Sequence, residues 1–223
     1  GFIAENIREG VKEQKDIQEN MFSLIEDLKS DIKRNEISLI RNEKSIQLCD
    51  SLITALNHGI TNTNNIYFYA RSVTANIGYL YPNARTFELL KSSGLLNAIK
   101  NNRLANHISY YYAGFQSADY QTALIRQKIL DIHEVNADVL DAFVMQEQLP
   151  VKISDSLVLR KVTKPTNNPP LLTSEKVQIN RVALHYLYFK YALILYDMPV
   201  KELNKRAKEL IEEIQKEYHL ETK

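Results

Sequence analysis

Tyrosine is the residue type in this chain best placed to make chemical contacts. It clusters at Tyr110-Tyr111-Tyr112 and recurs at Tyr186, Tyr188, Tyr191 and Tyr196, where rings of this kind stack on sugars or line an apolar groove. On helices these spacings set most of the rings on a seam, each phenol burying its body and keeping its hydroxyl wet. Core packing is therefore their expected role, with a partner surface as the alternative. The five histidines, His58, His107, His133, His185 and His219, stand far apart, with no HExxH, no cysteine partner and no Glu-x-x-His pair, so no metal site is expected. The nearest approach is His133-Glu134 with Asp138 and Asp141, acidic spacing that a solvated helix face explains. No GxGxxG, no Walker-type phosphate loop and no GxSxG elbow occurs, so nucleotide and hydrolase chemistry lack their backbone devices. The chain reads as a non-enzyme with no cofactor and no catalytic residue. Cys49, the single cysteine, has no internal disulfide partner and is expected as a small core hydrophobe.

The elements that must position these residues are helical. From about Glu5 to Leu56 apolar residues stand at Ile25, Leu28, Ile32, Leu39, Ile46, Cys49, Ile53 and Leu56, and Asn35 and Asn42 complete a three-four alternation, the 3.5-residue period of a helix packed lengthwise on another. The two Asn either fix the register of the seam or mark a solvated stretch. His58-Gly59 and the polar run Thr61 to Asn65 end this helix. A medium helix follows with Ile66, Ala70, Val73, Ile77 and Leu80 on one face. Pro82 stops it, and Ala84 to Ser92 makes a short helix closed by Gly94 in a left-handed cap. Leu95, Leu96 and Ile99 form another short turn. The alternation returns from Leu104 through Ile108, Tyr111, Phe115, Ala118, Thr122, Ile125, Ile129, Ile132, Asn136, Val139 and Phe143, which predicts one helix from about Arg103 to Gln146, about 65 Å long at about 1.5 Å per residue.

Between Leu149 and Thr173 the period vanishes at Pro150, Pro165, Pro169 and Pro170. Residues 147–173 are expected as a long loop, with a short hairpin among Val151, Ile153, Leu157, Leu159 and Val162 and a locally basic, solvated character from Lys152, Arg160, Lys161 and Lys164 against Asp155. Helices over 174–219 complete the chain. One, capped by Thr173 or Ser174, buries Val177, Leu184, Leu187, Tyr191, Ile194 and Leu195; a last one, with Pro199 in its opening turn, presents Val200, Leu203, Ala207, Leu210, Ile211 and Ile214. The fold class is all-α: an elongated bundle on two long antiparallel coiled-coil-like helices, with short helices at one end and a long Pro-containing loop, forming a single domain over 1–223.

Composition sets the outer bounds. With 223 residues, 44% hydrophobic and 25% charged, the chain has the balance of a folded globular protein. Six Gly and 6 Pro are too few for a turn-rich β-sandwich or barrel. Its 28 Lys plus Arg against 27 Asp plus Glu leave no broad basic surface, so nucleic acid is an unexpected partner.

Three stretches carry a resemblance: Phe2-Ile3-Ala4-Glu5-Asn6-Ile7-Arg8-Glu9, Leu24-Ile25-Glu26-Asp27-Leu28-Lys29-Ser30-Asp31, and Arg85-Thr86-Phe87-Glu88-Leu89-Leu90-Lys91-Ser92-Ser93-Gly94 with Ile99-Lys100 and Tyr110-Tyr111-Tyr112. Over roughly its first half the chain resembles a family of uncharacterised single-span membrane-anchored proteins of Gram-negative bacteria that carry a domain of unknown function. The family commonly has Trp where Ile7 stands here. The resemblance implies that residues 1–4 are the end of a trimmed transmembrane helix, and that the domain lies on the periplasmic side of the inner membrane by the positive-inside rule.

The functional expectation is a non-enzymatic, membrane-tethered interaction or scaffold module, its partner an envelope protein or a second copy of itself. The candidate partner-facing corner comprises Arg85, Thr86, Phe87, Lys91, Gly94, Tyr110, Tyr111 and Tyr112, with Arg85 and Lys91 placed to pair with carboxylates of the long helices. The alternative is a ligand-binding sensor with a Tyr-lined pocket between helices; an enzyme using Glu134 and Asp138 stands last.

Overall fold

The computed structural model describes residues 2–58, 60–148 and 161–220. The expectation of an all-α fold holds: seven helices and no strand occur among the described residues. They are α1 (Phe2–Asn57), α2 (Thr63–Ala75), α3 (Arg85–Ser92), α4 (Leu95–Ala98), α5 (Asn102–Ala137), α6 (Ala142–Glu147) and α7 (Lys176–Tyr218). The expected hairpin residues Val151, Ile153, Leu157 and Leu159, with Lys152, Asp155 and Arg160, lie outside the described residues.

Helix limits differ from the sequence reading in three places. The medium helix ends at Ala75, so Ile77 and Leu80 leave it, because Gly78 is drawn onto the side of α1. The helix expected to run to Gln146 stops at Ala137; the Asp141 carboxylate then accepts the Phe143 N–H at 2.8 Å and caps a separate α6, as a short acidic side chain does at a helix start. Phe143, expected on the core seam, is 78% exposed. The two C-terminal helices are one, with Pro199 inside α7: only the hydrogen bond to the carbonyl of Leu195 is lost to the proline, while the apolar stripe continues unbroken through it.

The chain divides into two compact units, each discontinuous in sequence. One comprises Gly1–Asn35, Leu80–Ala118 and Pro199–Lys223. Its core is Ile17, Met21, Leu24 and Leu28 of α1, Leu104, Ile108, Tyr111 and Phe115 of α5, and Val200, Leu203, Ala207, Leu210 and Ile214 of α7, all at three- and four-residue steps. Gln18 reaches the Tyr218 carbonyl at 3.4 Å and Asn35 reaches Asn204 at 2.8 Å, so α1 and α7 run antiparallel there. Asn101 meets Glu217 at 2.9 Å and His107 meets Glu213 at 2.7 Å, so α5 and α7 do likewise.

The other unit comprises Glu36–Tyr79 and Asp119–Met198. Its core is Leu48, Cys49, Leu52 and Leu56, then Ile66, Tyr67, Ala70 and Val73, then Ile125, Ile132 and Val135, and finally Val182, Tyr186, Phe189, Leu193 and Tyr196. Here too α1 and α7 are antiparallel, through Asn42–Asp197 at 2.8 Å and Asp50–Lys190 at 2.6 Å, and α5 and α7 through Asn136–Tyr186 at 2.8 Å and Asp138–Arg181 at 3.6 Å. In both units α1 and α5 therefore run the same way, and the antiparallel partner of each is α7. The reason is the return segment: Ser45 bonds the Val73 and Asn76 carbonyls and Ser38 that of Tyr79 in one unit, while Asp31 and Asp27 hold Asn83 in the other. The chain runs back along α1 before α5 begins.

Residues 161–175 contain neither helix nor strand and are pinned. Tyr67 Oη donates to the Pro170 carbonyl at 2.9 Å and accepts the Asp141 N–H at 2.9 Å, while the Leu172 N–H reaches the Val139 carbonyl at 2.9 Å. Lys161 and Lys164 are exposed, as expected of a solvated loop. The left-handed cap also stands, with Gly94 at φ +80° just past Ser93, the residue that caps α3. A Cβ there meets open space, so Gly94→Ala isolates the backbone cost: a loss of about 1–2 kcal/mol in thermal denaturation, with helix content unchanged.

Candidate functional site

The seam of α1 positions the most connected polar cluster. Its buried positions follow one alternation, Ile17, Met21, Leu24, Leu28, Asp31, Asn35, Ser38, Asn42, Ser45, Cys49, Leu52 and Leu56. Five consecutive members are polar. Asn35 and Asn42 are buried with partners, so the register-fixing alternative is the one realised rather than a solvated stretch. Asn42 donates to Asp197 and accepts the Gly78 N–H at 2.9 Å.

In the first unit the cluster centres on Asp31, 1% exposed. Its carboxylate accepts Tyr111 Oη–H at 2.9 Å and the Asn83 N–H at 2.8 Å, and pairs with Arg34. Burial raises its pKa above 3.8, against the lowering effect of those donors. Asp27 accepts Asn83 Nδ2 at 2.5 Å and the Thr86 N–H at 3.2 Å, the latter docking the start of α3. Tyr112 Oη donates to the Asn83 carbonyl at 3.2 Å and its ring stacks on Phe87 at 4.3 Å. Burial and the neighbouring carboxylates push the Tyr111 and Tyr112 phenols far up, so both stay neutral donors.

Of the expected corner residues, the structure thus brings Thr86, Phe87, Tyr111 and Tyr112 together. Arg85, Lys91 and Gly94 are exposed around them. The pairing expected of Arg85 and Lys91 does not form with any described carboxylate: α3 docks through its first turn and Leu90, which leaves both cations facing water. Tyr110 is separate, 60% exposed with the Arg206 guanidinium 4.4 Å over its ring. It lines an open cleft of about 670 Å³ with Arg103, His107, Glu202, Glu213 and Lys216. His107 and Arg103 face Glu213 and Arg206 faces Glu202, so the cleft meets most of its own charge. Asp27 and Asp31 stand in one of the stretches that carry the resemblance, but their role beside Asn83 in organising this cluster is revealed only by the long-range return of the chain.

Glu134 and Asp138 both face Arg181, at 3.3 and 3.6 Å, in the open. No group of three or more His, Cys, Asp or Glu among the described residues is placed to hold a metal. Cys49 is fully buried, and burial pushes its thiol up to about 12. No described helix is long and apolar enough to cross a membrane.

The largest departure from the sequence reading is on α7. Val177, Leu184, Tyr191, Ile194 and Leu195, expected in the core, are exposed. The core takes the other face: Ile179, Val182, Tyr186, Phe189, Leu193 and Tyr196. This helix carries two apolar stripes, and only one fits inside. Between Leu184 and Met198 every exposed position is apolar: Leu184, Tyr188, Tyr191, Ile194, Leu195 and Met198. Surfaces of monomeric proteins seldom keep so continuous an apolar strip. No family model, curated protein or solved structure matches the chain.

Proposed function

We propose that this chain is a non-enzymatic interaction module, tethered at a bacterial inner membrane and held in the periplasm, that docks a protein partner through the exposed face of α7. The single observation that carries the reading is the uninterrupted apolar face from Leu184 to Met198, because burial of apolar surface is the main favourable term in protein association. The tether and compartment rest on the resemblance of the opening segment, with the Glu5-Asn6 stretch leading out of a span. The Thr86, Phe87, Tyr111 and Tyr112 cluster acts in this reading as the anchor that fixes α3 on α1, and the partner surface lies elsewhere.

The test is photo-cross-linking in intact cells from a reactive amino acid placed at Tyr191 or Leu195 of the full-length protein. Adducts of defined mass are expected from these positions and not from Lys205 or Glu209, exposed polar positions on the same helix. Equal labelling from all four, or none from any, overturns the reading.

A further inference from the structure

We infer that the occupant of the α7 face is a second copy of this chain, laid antiparallel across it as a two-fold symmetric helix pair; this rests on the interaction reading above. Four observations lead there.

The first is spacing. Val177, Arg181, Leu184, Tyr188, Tyr191, Leu195 and Met198 step alternately by four and three, the 3.5-residue period that packs lengthwise on another helix of the same period. The same helix already satisfies one such stripe in its own core, so the exposed one is complementary to its own kind. The second is charge. The two cations at the margins are engaged within the chain, Lys190 with Asp50 at 2.6 Å and Arg181 with Glu134 and Asp138. The exposed positions from Leu184 to Met198 carry no charge and meet their own image without like-charge repulsion, whereas a partner chosen by charge needs free charges at the rim.

The third is orientation. A parallel pair sets each cluster of Arg181, Glu134 and Asp138, one cation with two carboxylates, against its like. An antiparallel pair turning about the point between Tyr188 and Tyr191 sets Leu184 against Leu195, Tyr188 against Tyr191 and Arg181 against Met198, which separates these clusters and keeps the rings layered with one another. The fourth is area. At 53% exposure for Tyr188, 54% for Tyr191, 56% for Leu195 and 63% for Met198, with 40% for Leu184 and 39% for Ile194, the face offers roughly 600 Å² per copy. Complete burial of these side chains on two copies gives at most about 1,200 Å², the entry to the ~1,200–2,000 Å² class of stable interfaces.

The test is light scattering and sedimentation of the purified chain over about 1–100 μM, where a Kd near 10 μM is readable. The expected result is a mass twice the 25.8 kDa of one chain, falling to one chain in Leu195→Glu and, independently, in Tyr191→Glu, with helix content retained by circular dichroism because both side chains are exposed. Oxidation of the Leu184→Cys plus Leu195→Cys variant is expected to give a cross-linked dimer, since the two positions meet across an antiparallel pair and lie too far apart along one helix to close within a chain. Leu184→Cys alone cross-links only in a parallel pair. A monomer at every concentration, a dimer indifferent to both Glu variants, or cross-linking by Leu184→Cys alone overturns the proposal. A purified monomer whose Tyr191 position forms adducts with a different protein in cells removes the second copy and leaves the interaction module standing; a monomer with no adducts removes both.

Discussion

Asp31→Ala is expected to cost about 3–5 kcal/mol, measured by urea unfolding, because it strips an acceptor from buried donors while leaving them in place. Tyr111 Oη–H and the Asn83 N–H both end on this carboxylate, and an orphaned buried donor costs about 1–3 kcal/mol. Two such donors are orphaned at once, while the half-exposed Arg34 stays solvated without its partner, so the loss comes from hydrogen bonding and is a large part of an ordinary domain's stability. Asp31→Asn separates charge from hydrogen bonding, since the amide oxygen still accepts. The folded pKa of Asp31 lies above its unfolded value of about 3.8, so between the two the folded state holds the extra proton and stability falls as pH rises. The contribution is fully present below 3.8 and is lost as pH climbs through the raised folded pKa. The stability of the natural chain relative to Asp31→Asn is therefore expected to be greatest at the acid end and to decline toward neutral pH. A difference that rises with pH, or a mild cost for the Ala variant, contradicts this account of the cluster.

Gly78→Ala is the second large effect, again about 3–5 kcal/mol, and its cause is space rather than charge. A Cβ at Gly78 falls 2.6 Å from both Cβ and the carbonyl oxygen of Ser38, so the strand of chain returning along α1 must lift off. Overpacking alone costs about 1–3 kcal/mol; lifting also opens the bond from the Gly78 N–H to Asn42, whose amide holds Asp197. Ser38→Ala removes only the bond to the Tyr79 carbonyl, about 1 kcal/mol. Denaturant midpoints of the two variants distinguish backbone proximity from lost hydrogen bonding: comparable losses contradict the steric account.

The helices were legible in the sequence because their period is local, and the faces were legible only where a single stripe existed. On α5 the three-four alternation names the buried Leu104, Ile108, Tyr111, Phe115, Thr122, Ile125, Ile132 and Asn136, with Ile129 only half-buried. On α1 the apolar Ile32, Leu39 and Ile46 outweigh Asp31, Ser38 and Ser45 one position earlier, and the reading slips onto them at alternate steps. The polar residues win the interior because their partners are carbonyls and amides of residues 73–83, brought by the chain's return and invisible to a local pattern. On α7 both stripes have the same period and similar composition, so nothing local chooses between them; packing against α1 and α5 does. At the corner of Thr86 and Phe87 the cations expected to anchor it point into water, while its backbone amide and ring hold it.

Pro199 has a kinetic consequence. It has no N–H to give to the carbonyl of Leu195, so the 43-residue hydrogen-bonded ladder of α7 has one missing rung, and unzipping that starts on either side need not propagate across it. Amide exchange in this helix then resolves into two protection blocks, 176–198 and 200–218. The block bearing the apolar face and the block bearing Leu203 to Ile214 then open and reclose each on its own clock.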